Sequence, residues 1–193
     1  MMIVGNVEQG EAALLAGQIA CPGCTARLRP HGHARHRTVR GLGDARLDVR
    51  PRRARCEGCG RTQVLLPSAL SVRRADSLEV IGTALTAKAA GGGHRSIAAR
   101  LGRPLSTVRR WLRRAAPPSH TQWLYEQAVQ HAFRLNPDIL VRPKRWPSLL
   151  GWSLNILAGA AVAYRERVAV DLPLWPLIGY FTRGNLLGPP LRT

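Results

Sequence analysis

Four cysteines, set as two Cys-x-x-Cys pairs, constrain this chain more than any other feature. The pairs are Cys21-Pro22-Gly23-Cys24 and Cys56-Glu57-Gly58-Cys59, and the sequence holds no further cysteine. A Cys-x-x-Cys turn aims two thiolates at one point, and two such turns brought together make a closed tetrahedral S4 site. Gly precedes the second Cys of each pair and Gly60 follows Cys59, which suits the tight turns of a metal knuckle. The 31 residues between Cys24 and Cys56 exceed the common finger spacing and leave room for a β-hairpin between the knuckles, as in a zinc ribbon. Zn2+ is therefore the expected cofactor, on Cys21, Cys24, Cys56 and Cys59; a single iron suits the same four thiolates. Two disulfides or a redox pair are the alternatives. With no secretory signal read at the N-terminus, a cytoplasmic, nucleoid-associated location is expected, where structural disulfides are rare.

The charge is strongly basic and unevenly spread. The 193 residues carry 29 Lys+Arg against 11 Asp+Glu, a formal net charge of +18. Between Arg27 and Arg114 lie 21 basic and 5 acidic residues, and no acid occurs between Val80 and Tyr125. Charge of this size draws polyanions. All the bases but Lys88 and Lys144 are arginine, whose guanidinium fork matches phosphate and guanine; a GC-rich coding bias also gives many arginines but does not cluster them. A membrane span is not expected, because the longest uncharged apolar run, Ser148 to Tyr164, falls short of the ~20 residues needed and contains Asn155.

The expected fold is α+β and mostly α: a small β zinc ribbon, a three-helix helix-turn-helix domain and a helical C-terminal tail. Residues 1–18 read as an N-terminal helix, capped by Asn6 and ended by Gly17. Residues 19–66 form the ribbon. Within it Ala45, Leu47 and Val49 alternate with Arg46, Asp48 and Arg50, the period of a half-buried strand, after a hairpin turn at Gly41 to Asp44. The outer face of that hairpin should be almost all arginine. Residues 60 to 75 read as a connector with Pro67 as a breaker. The helix-turn-helix domain covers 74–115, its first helix running from Asp76, in a capping-box-like start with Glu79, to Ala90 before three glycines. Pro117-Pro118 reads as a linker to the helical region 119–193, with helices expected at Thr121 to Leu135, Ser148 to Arg167 (after breaks at Pro143 and Pro147) and Pro176 to Arg183.

The run Ile97 to Leu112 carries the second motif. Two short helices flank a tight turn at Gly102, with Pro104 opening the second, as in a DNA-reading bihelical unit. Ile97, Ala98, Leu101, Val108 and Leu112 should face a core, with Trp111 at its shoulder. Ser106, Arg109, Arg110 and Arg113 should face outward, where the second helix of such a unit meets the major groove and arginine pairs with guanine. The expected duplex-DNA contacts are Arg50, Arg52, Arg53, Arg95, Arg103, Ser106, Thr107, Arg109, Arg110 and Arg113. A solvated basic face on an ordinary three-helix hairpin is the plainer alternative. His31, His33 and His36 are expected in solvent or on phosphate rather than on the metal, which four thiolates already close. His94 is expected in packing or in a backbone contact.

Cys-Pro-x-Cys at 21–24, His33 with Arg37-Thr38-Val39-Arg40 and Leu42, Leu47-x-Val-Arg50, and Arg52-Arg53-x-Arg-Cys56-x-x-Cys59 together resemble the N-terminal DNA-binding part of bacterial insertion-sequence transposases. The chain is also similar to uncharacterised bacterial proteins with the same two modules and no catalytic domain. The resemblance covers about residues 19 to 115 and implies a ribbon and a helix-turn-helix that bind terminal inverted repeats. Those transposases continue into a nuclease domain with three metal-binding carboxylates. Here only Glu126, Asp138, Glu166 and Asp171 follow, in a tail without a strand pattern to hold a two-metal site, so no catalytic residue is expected. The expected function is that of a zinc-containing DNA-binding protein, a regulator or a non-catalytic mobile-element factor. A truncated transposase subunit needing a separate catalytic partner and a protein-interaction scaffold are the alternatives. The tail helices, with stripes at Trp123, Leu124, Ala128, Ala132 and Leu135 and at Leu149, Leu157, Ala160, Ala161 and Tyr164, either pair two copies into a homodimer or cover the DNA-binding core.

Overall fold

A computed structural model of the chain describes residues 1–140, 147–169 and 172–188. Its architecture is α+β, with seven α-helices among the described residues and a small sheet at the N-terminal side. Strand β1 (Met2–Val4) leads into α1 (Val7–Leu15), whose first turn is capped by the Asn6 side chain accepting the Gln9 N–H at 2.7 Å. Strands β2 (Leu28–His33), β3 (Arg37–Arg40), β4 (Arg46–Val49), β5 (Arg52–Cys56) and β6 (Thr62–Pro67) follow. The main sheet has the order β1-β6-β5-β2, with β1 parallel to β6 and the other pairs antiparallel; β3 and β4 form a separate hairpin.

Three expectations for this half change. Residues 62–67 are not connector but an inner strand, β6, and Pro67 closes it at the last register position, opposite Val4. The run Thr62-Gln63-Val64-Leu65-Leu66 is strand-forming in composition, and proline is tolerated at a strand end because little of the ladder remains to be donated to. The β4 strand is less buried than its alternation suggests: Leu47 stays 38% exposed, and the hairpin is held mainly by Val39, which packs with Leu66 and Leu70. The hairpin's outer face is not all arginine either, since Thr38 there donates to Asp48 across the strands.

The helical half begins with α2 (Leu78–Ala89). Its cap is Ser77, whose Oγ accepts the Val80 N–H at 3.3 Å, rather than Asp76. Asp76 lies one residue too early to cap and its carboxylate is taken by arginines. Helix α3 (His94–Leu101) stops at Gly102, which sits at φ +60°, and α4 (Leu105–Ala115) starts after Pro104. The expected linker at Pro117-Pro118 is absent: α5 (Pro118–Leu135) starts there, with Pro118 in the first turn, where a missing N–H costs no hydrogen bond. A 3-10 turn (Pro137–Leu140), α6 (Leu149–Val168) and α7 (Leu174–Phe181) complete the described chain. Pro143 falls outside the described residues. The tail is continuous with the preceding helices, because buried residues of α2 to α7 form one apolar cluster. Leu124, Ala128 and Ala132 of α5 and Leu157, Ala160 and Ala161 of α6 lie inside that cluster, Trp123, Leu135 and Tyr164 are partly buried against it, and Leu149 stays exposed. No helix among the described residues is long and apolar enough to cross a membrane.

Candidate metal centre and basic face

The fold brings the two Cys-x-x-Cys turns together. Cys21 and Cys24 lie on the loop between α1 and β2, while Cys56 ends β5 and Cys59 lies on the turn before β6. Their four sulphurs all lie within 4.8 Å of one another, with Cys21 and Cys59 Sγ 3.7 Å apart and Cys24 and Cys56 Sγ 3.3 Å apart. A tetrahedron of sulphurs at the usual zinc–sulphur bond has edges of about 3.8 Å, so the donor set and its spacing fit a zinc-sized dication. The two turns share one geometry. The residue after the second Cys is left-handed in both, Thr25 at φ +62° and Gly60 at φ +67°. Backbone N–H groups of Gly23 and Cys59 approach the sulphurs of Cys21 and Cys56 at 3.5 and 3.4 Å. A Cβ on Gly58 would meet Ala26 Cβ at 2.9 Å, which explains glycine at that position.

The thiols are unequal. The backbone N–H of Cys59, aided by hydrogen bonds from Cys24 and Gly58, pulls Cys56 down to about 6 against the cost of burial. The N–H of Ala26 favours the Cys24 thiolate, but hydrogen bonding to Cys56 and Cys59 outweighs it and pushes Cys24 up to about 11. Four sulphurs this close cannot all ionise unless a cation sits among them. Cys21 and Cys56 are buried and Cys24 and Cys59 exposed, so the cluster has one side in the sheet core and one at the surface. The histidines stand apart from it: His31, His33 and His36 are exposed, His33 beside Arg52 and His36 3.8 Å from Asp48.

The second group of expected site residues lies on α3 and α4. The buried face of α4 is Val108, Trp111, Leu112 and Ala115, with Trp111 fully inside rather than at the shoulder. Its opposite face exposes Ser106, Arg109, Arg110, Arg113 and Arg114, with Thr107 half-buried; Arg95 is exposed on α3. The arginines beside the sheet divide. Arg50 is exposed and Arg53 half-buried, whereas Arg52 is ion-paired to Glu11 at 2.9 Å.

Arg103 departs from the expected surface role. Its side chain is 7% exposed and its Nε donates to Asp76 Oδ1 at 2.7 Å. Its other nitrogens donate to the carbonyls of Leu101, Gly102 and Gly41. Asp76 Oδ2 accepts from Arg40 Nη2 at 2.8 Å, and the backbones of Arg40 and Asp76 are bridged by hydrogen bonds to Ala75 and Ser77. This buried carboxylate thus ties the β3–β4 hairpin to the turn between α3 and α4. Arg103 and Arg40 were not separable from the other arginines by sequence. The one signal in the sequence is Asp76 itself, an acid two residues after the Arg73-Arg74 pair.

Of the four tail acids, Glu126, Asp138 and Glu166 are exposed on α5, the 3-10 turn and α6, while Asp171 lies outside the described residues. Residues 21–111 match the model of a family described as a domain of unknown function (DUF6431). The match runs from the first cysteine to Trp111, spanning the sulphur cluster, the hairpin, Asp76 and most of α4. No curated protein matches the chain, and no solved structure does.

Proposed function

We propose that this protein binds duplex DNA, with α3 and α4 acting as a helix-turn-helix and the four-cysteine sheet acting as a zinc ribbon beside it. The observation that carries the reading is the outer face of α4: serine and four arginines, with no acid anywhere from Val80 to Tyr125. A basic face that only kept the protein soluble would gain from interspersed acids, which relieve self-repulsion. A face without them is suited to a polyanion. In this reading the N-terminal part of α4 enters the major groove, and the arginines near the sheet meet phosphates. Cys21, Cys24, Cys56 and Cys59 would hold zinc, which supplies a structural cross-link and no chemistry on the DNA. The protein acts as a regulator or a non-catalytic mobile-element factor in the cytoplasm.

The test is a salt titration of binding by the full chain to duplex DNA. Neutralising about six phosphates gives a slope of log K against log salt near −5. A flat response would remove the electrostatic reading and favour a protein-interaction scaffold. Incubation of the bound duplex with Mg2+ or Mn2+ should leave it intact; cleavage lost in Glu126→Ala or Asp138→Ala would overturn the non-catalytic assignment.

A further inference from the structure

The β3–β4 hairpin is docked at its tip on the helix pair. The Gly41 N–H donates to the Ala45 carbonyl at 2.7 Å and closes the hairpin, and the Gly41 carbonyl accepts from Arg103 Nη2 at 2.5 Å. Only Pro104 separates Arg103 from α4. The same guanidinium meets Asp76 Oδ1 at 2.7 Å, and Asp76 Oδ2 accepts from Arg40 Nη2 at 2.8 Å. The Arg40 N–H donates to the Ala75 carbonyl and the Ser77 N–H to the Arg40 carbonyl, both at 2.8 Å, which lays β3 along the entry to α2. The hairpin tip therefore stands one arginine side chain from the backbone that leads into α4. In the DNA-binding reading that end of α4 enters the major groove.

Register decides what the hairpin presents. Arg37 pairs with Val49 and Val39 with Leu47, and this face packs on Leu66 and Leu70 through Val39 and Val49. The other face carries Thr38 opposite Asp48 and Arg40 opposite Arg46. Residues directly opposite stand about 5 Å apart at Cβ, where like charges destabilise the pair. Thr38 and Asp48 are complementary and joined by a hydrogen bond, whereas Arg40 and Arg46 are two cations. Asp76 is already shared between Arg40 and Arg103. Arg46 is exposed and makes no ion pair among the described residues.

We infer that the β3–β4 hairpin is a second DNA-binding element beside the start of α4, and that Arg46 carries it onto a backbone phosphate. The inference rests on the DNA-binding reading above and deepens it with a residue outside the expected contact set. A phosphodiester oxygen at Arg46 supplies the negative charge that the pair with Arg40 lacks, and it accepts the forked donors of the guanidinium. Asp44, at the tip two residues earlier, is exposed and also makes no ion pair among the described residues. Its carboxylate stands to repel the same phosphate, so the tip offers two charges whose removal should act in opposite directions.

The experiment compares the full chain with Arg46→Gln, Arg46→Lys, Asp44→Asn and Arg165→Gln, the last an exposed arginine on α6 far along the chain from the hairpin. The probes are a duplex selected by the wild-type chain from a random pool and a scrambled duplex of equal composition. Arg46→Gln should weaken both duplexes by the same factor and lower the salt slope by about one, while Arg46→Lys keeps most of the slope. Asp44→Asn should tighten both duplexes at low salt, and Arg165→Gln should leave the slope unchanged. Without DNA, the thermal midpoint of Arg46→Gln should hold or rise, because the variant removes a like-charge pair. A lowered midpoint would mark Arg46 as a folding residue and overturn the inference. So would an unchanged slope in Arg46→Gln, an equal loss in Arg165→Gln, or a loss confined to the selected duplex. A wild-type chain that binds neither duplex would instead remove the DNA-binding reading itself.

Discussion

Leu14, Cys21, Leu28, Ala54, Cys56 and Leu65 make up the buried centre of the sheet, and two of the six, Cys21 and Cys56, belong to the sulphur cluster. Across the molecule, 25 buried residues from Leu78 to Leu187 form one continuous cluster under α2 to α7. The helical side has enough apolar burial to hold itself together. The sheet side does not, because so small a core leaves little surplus over chain entropy. A dication held on the four thiolates would supply what the sheet lacks, and only as long as it stays bound. The contrast teaches where each half is vulnerable: the sheet to loss of metal, the helices to insult in their core, and the junction at Asp76 to loss of one charge.

The largest effect expected is that of metal removal. Structural zinc in small modules contributes about 10–16 kcal/mol of coupled folding free energy. Chelation, or Cys56→Ser, should therefore loosen residues 20–67 while α2 to α7 keep their helices. Hydrogen exchange on metal-loaded and chelated protein checks this, and metal analysis of the reduced, folded chain should give one ion per chain. Equal loss of protection on both sides would break the comparison and show that the helices depend on the sheet.

Next in size is Asp76→Ala. It leaves Arg103 nearly buried with no counter-charge, a change that costs about 3–5 kcal/mol when a buried pair is broken on one side. Arg103→Ala should cost less, because Asp76 keeps Arg40. Thermal melts of the two variants and their double mutant measure the coupling. An additive result would mean that the junction is not one network.

What could be read from the sequence, and what could not, follows the range of each signal. The two cysteine pairs and the Gly102 turn announce themselves within a few residues, and the described chain brings those cysteines together and puts Ile97, Ala98 and Leu101 inside. The helix starts at Asn6 and Ser148 are equally local: each side chain accepts an N–H three residues on. β6 pairs with the nearby β5, but what makes it an inner strand is β1, some sixty residues earlier and signalled only by the short run Met2 to Val4. Arg103 was misplaced for the same reason, since its partners Asp76 and Gly41 are 27 and 62 residues away. His120 is a third case. It is 1% exposed, stacks on Trp123 and donates through Nε2 to the Leu186 carbonyl at 3.1 Å, a partner 66 residues away.

That histidine gives the helical side a pH dependence. Burial lowers the His120 pKa, and the bond to Leu186 opposes this only in part. Burial lowers that of His131 too, where the ring stacks on Phe181 at 4.2 Å and Arg134 and Arg183 add their charge. Both rings are therefore held neutral in the fold, and the unfolded chain takes up protons first as pH falls. Their contribution is fully present above the unfolded value of about 6.5 and is lost as pH drops towards the lowered folded values. The thermal midpoint should be flat above pH 7 and fall below pH 6.5, and His120→Gln with His131→Gln should flatten that fall. A fall confined to the sheet would instead place the sensitive groups on the sheet side.

The smallest effect expected is at Arg52, and it separates the sheet's arginines from one another. Arg50, Arg52 and Arg53 look alike in the sequence, yet Arg52 alone is engaged, with Glu11 at 2.9 Å and His33 at 3.3 Å. A guanidinium already facing a carboxylate gains less from a phosphate, because the existing pair must open or the acid must stay close to the DNA. Arg52→Ala should thus change the salt slope for duplex DNA by much less than the one unit expected of a free phosphate contact such as Arg50→Ala. Its cost to stability should stay within about 1 kcal/mol, the range of partly exposed ion pairs. Glu11→Gln provides the converse: it frees Arg52, and binding at low salt should strengthen slightly. If Arg52→Ala and Arg50→Ala lower the slope equally, the pair with Glu11 opens on DNA, and the sheet meets the duplex as one continuous arginine surface.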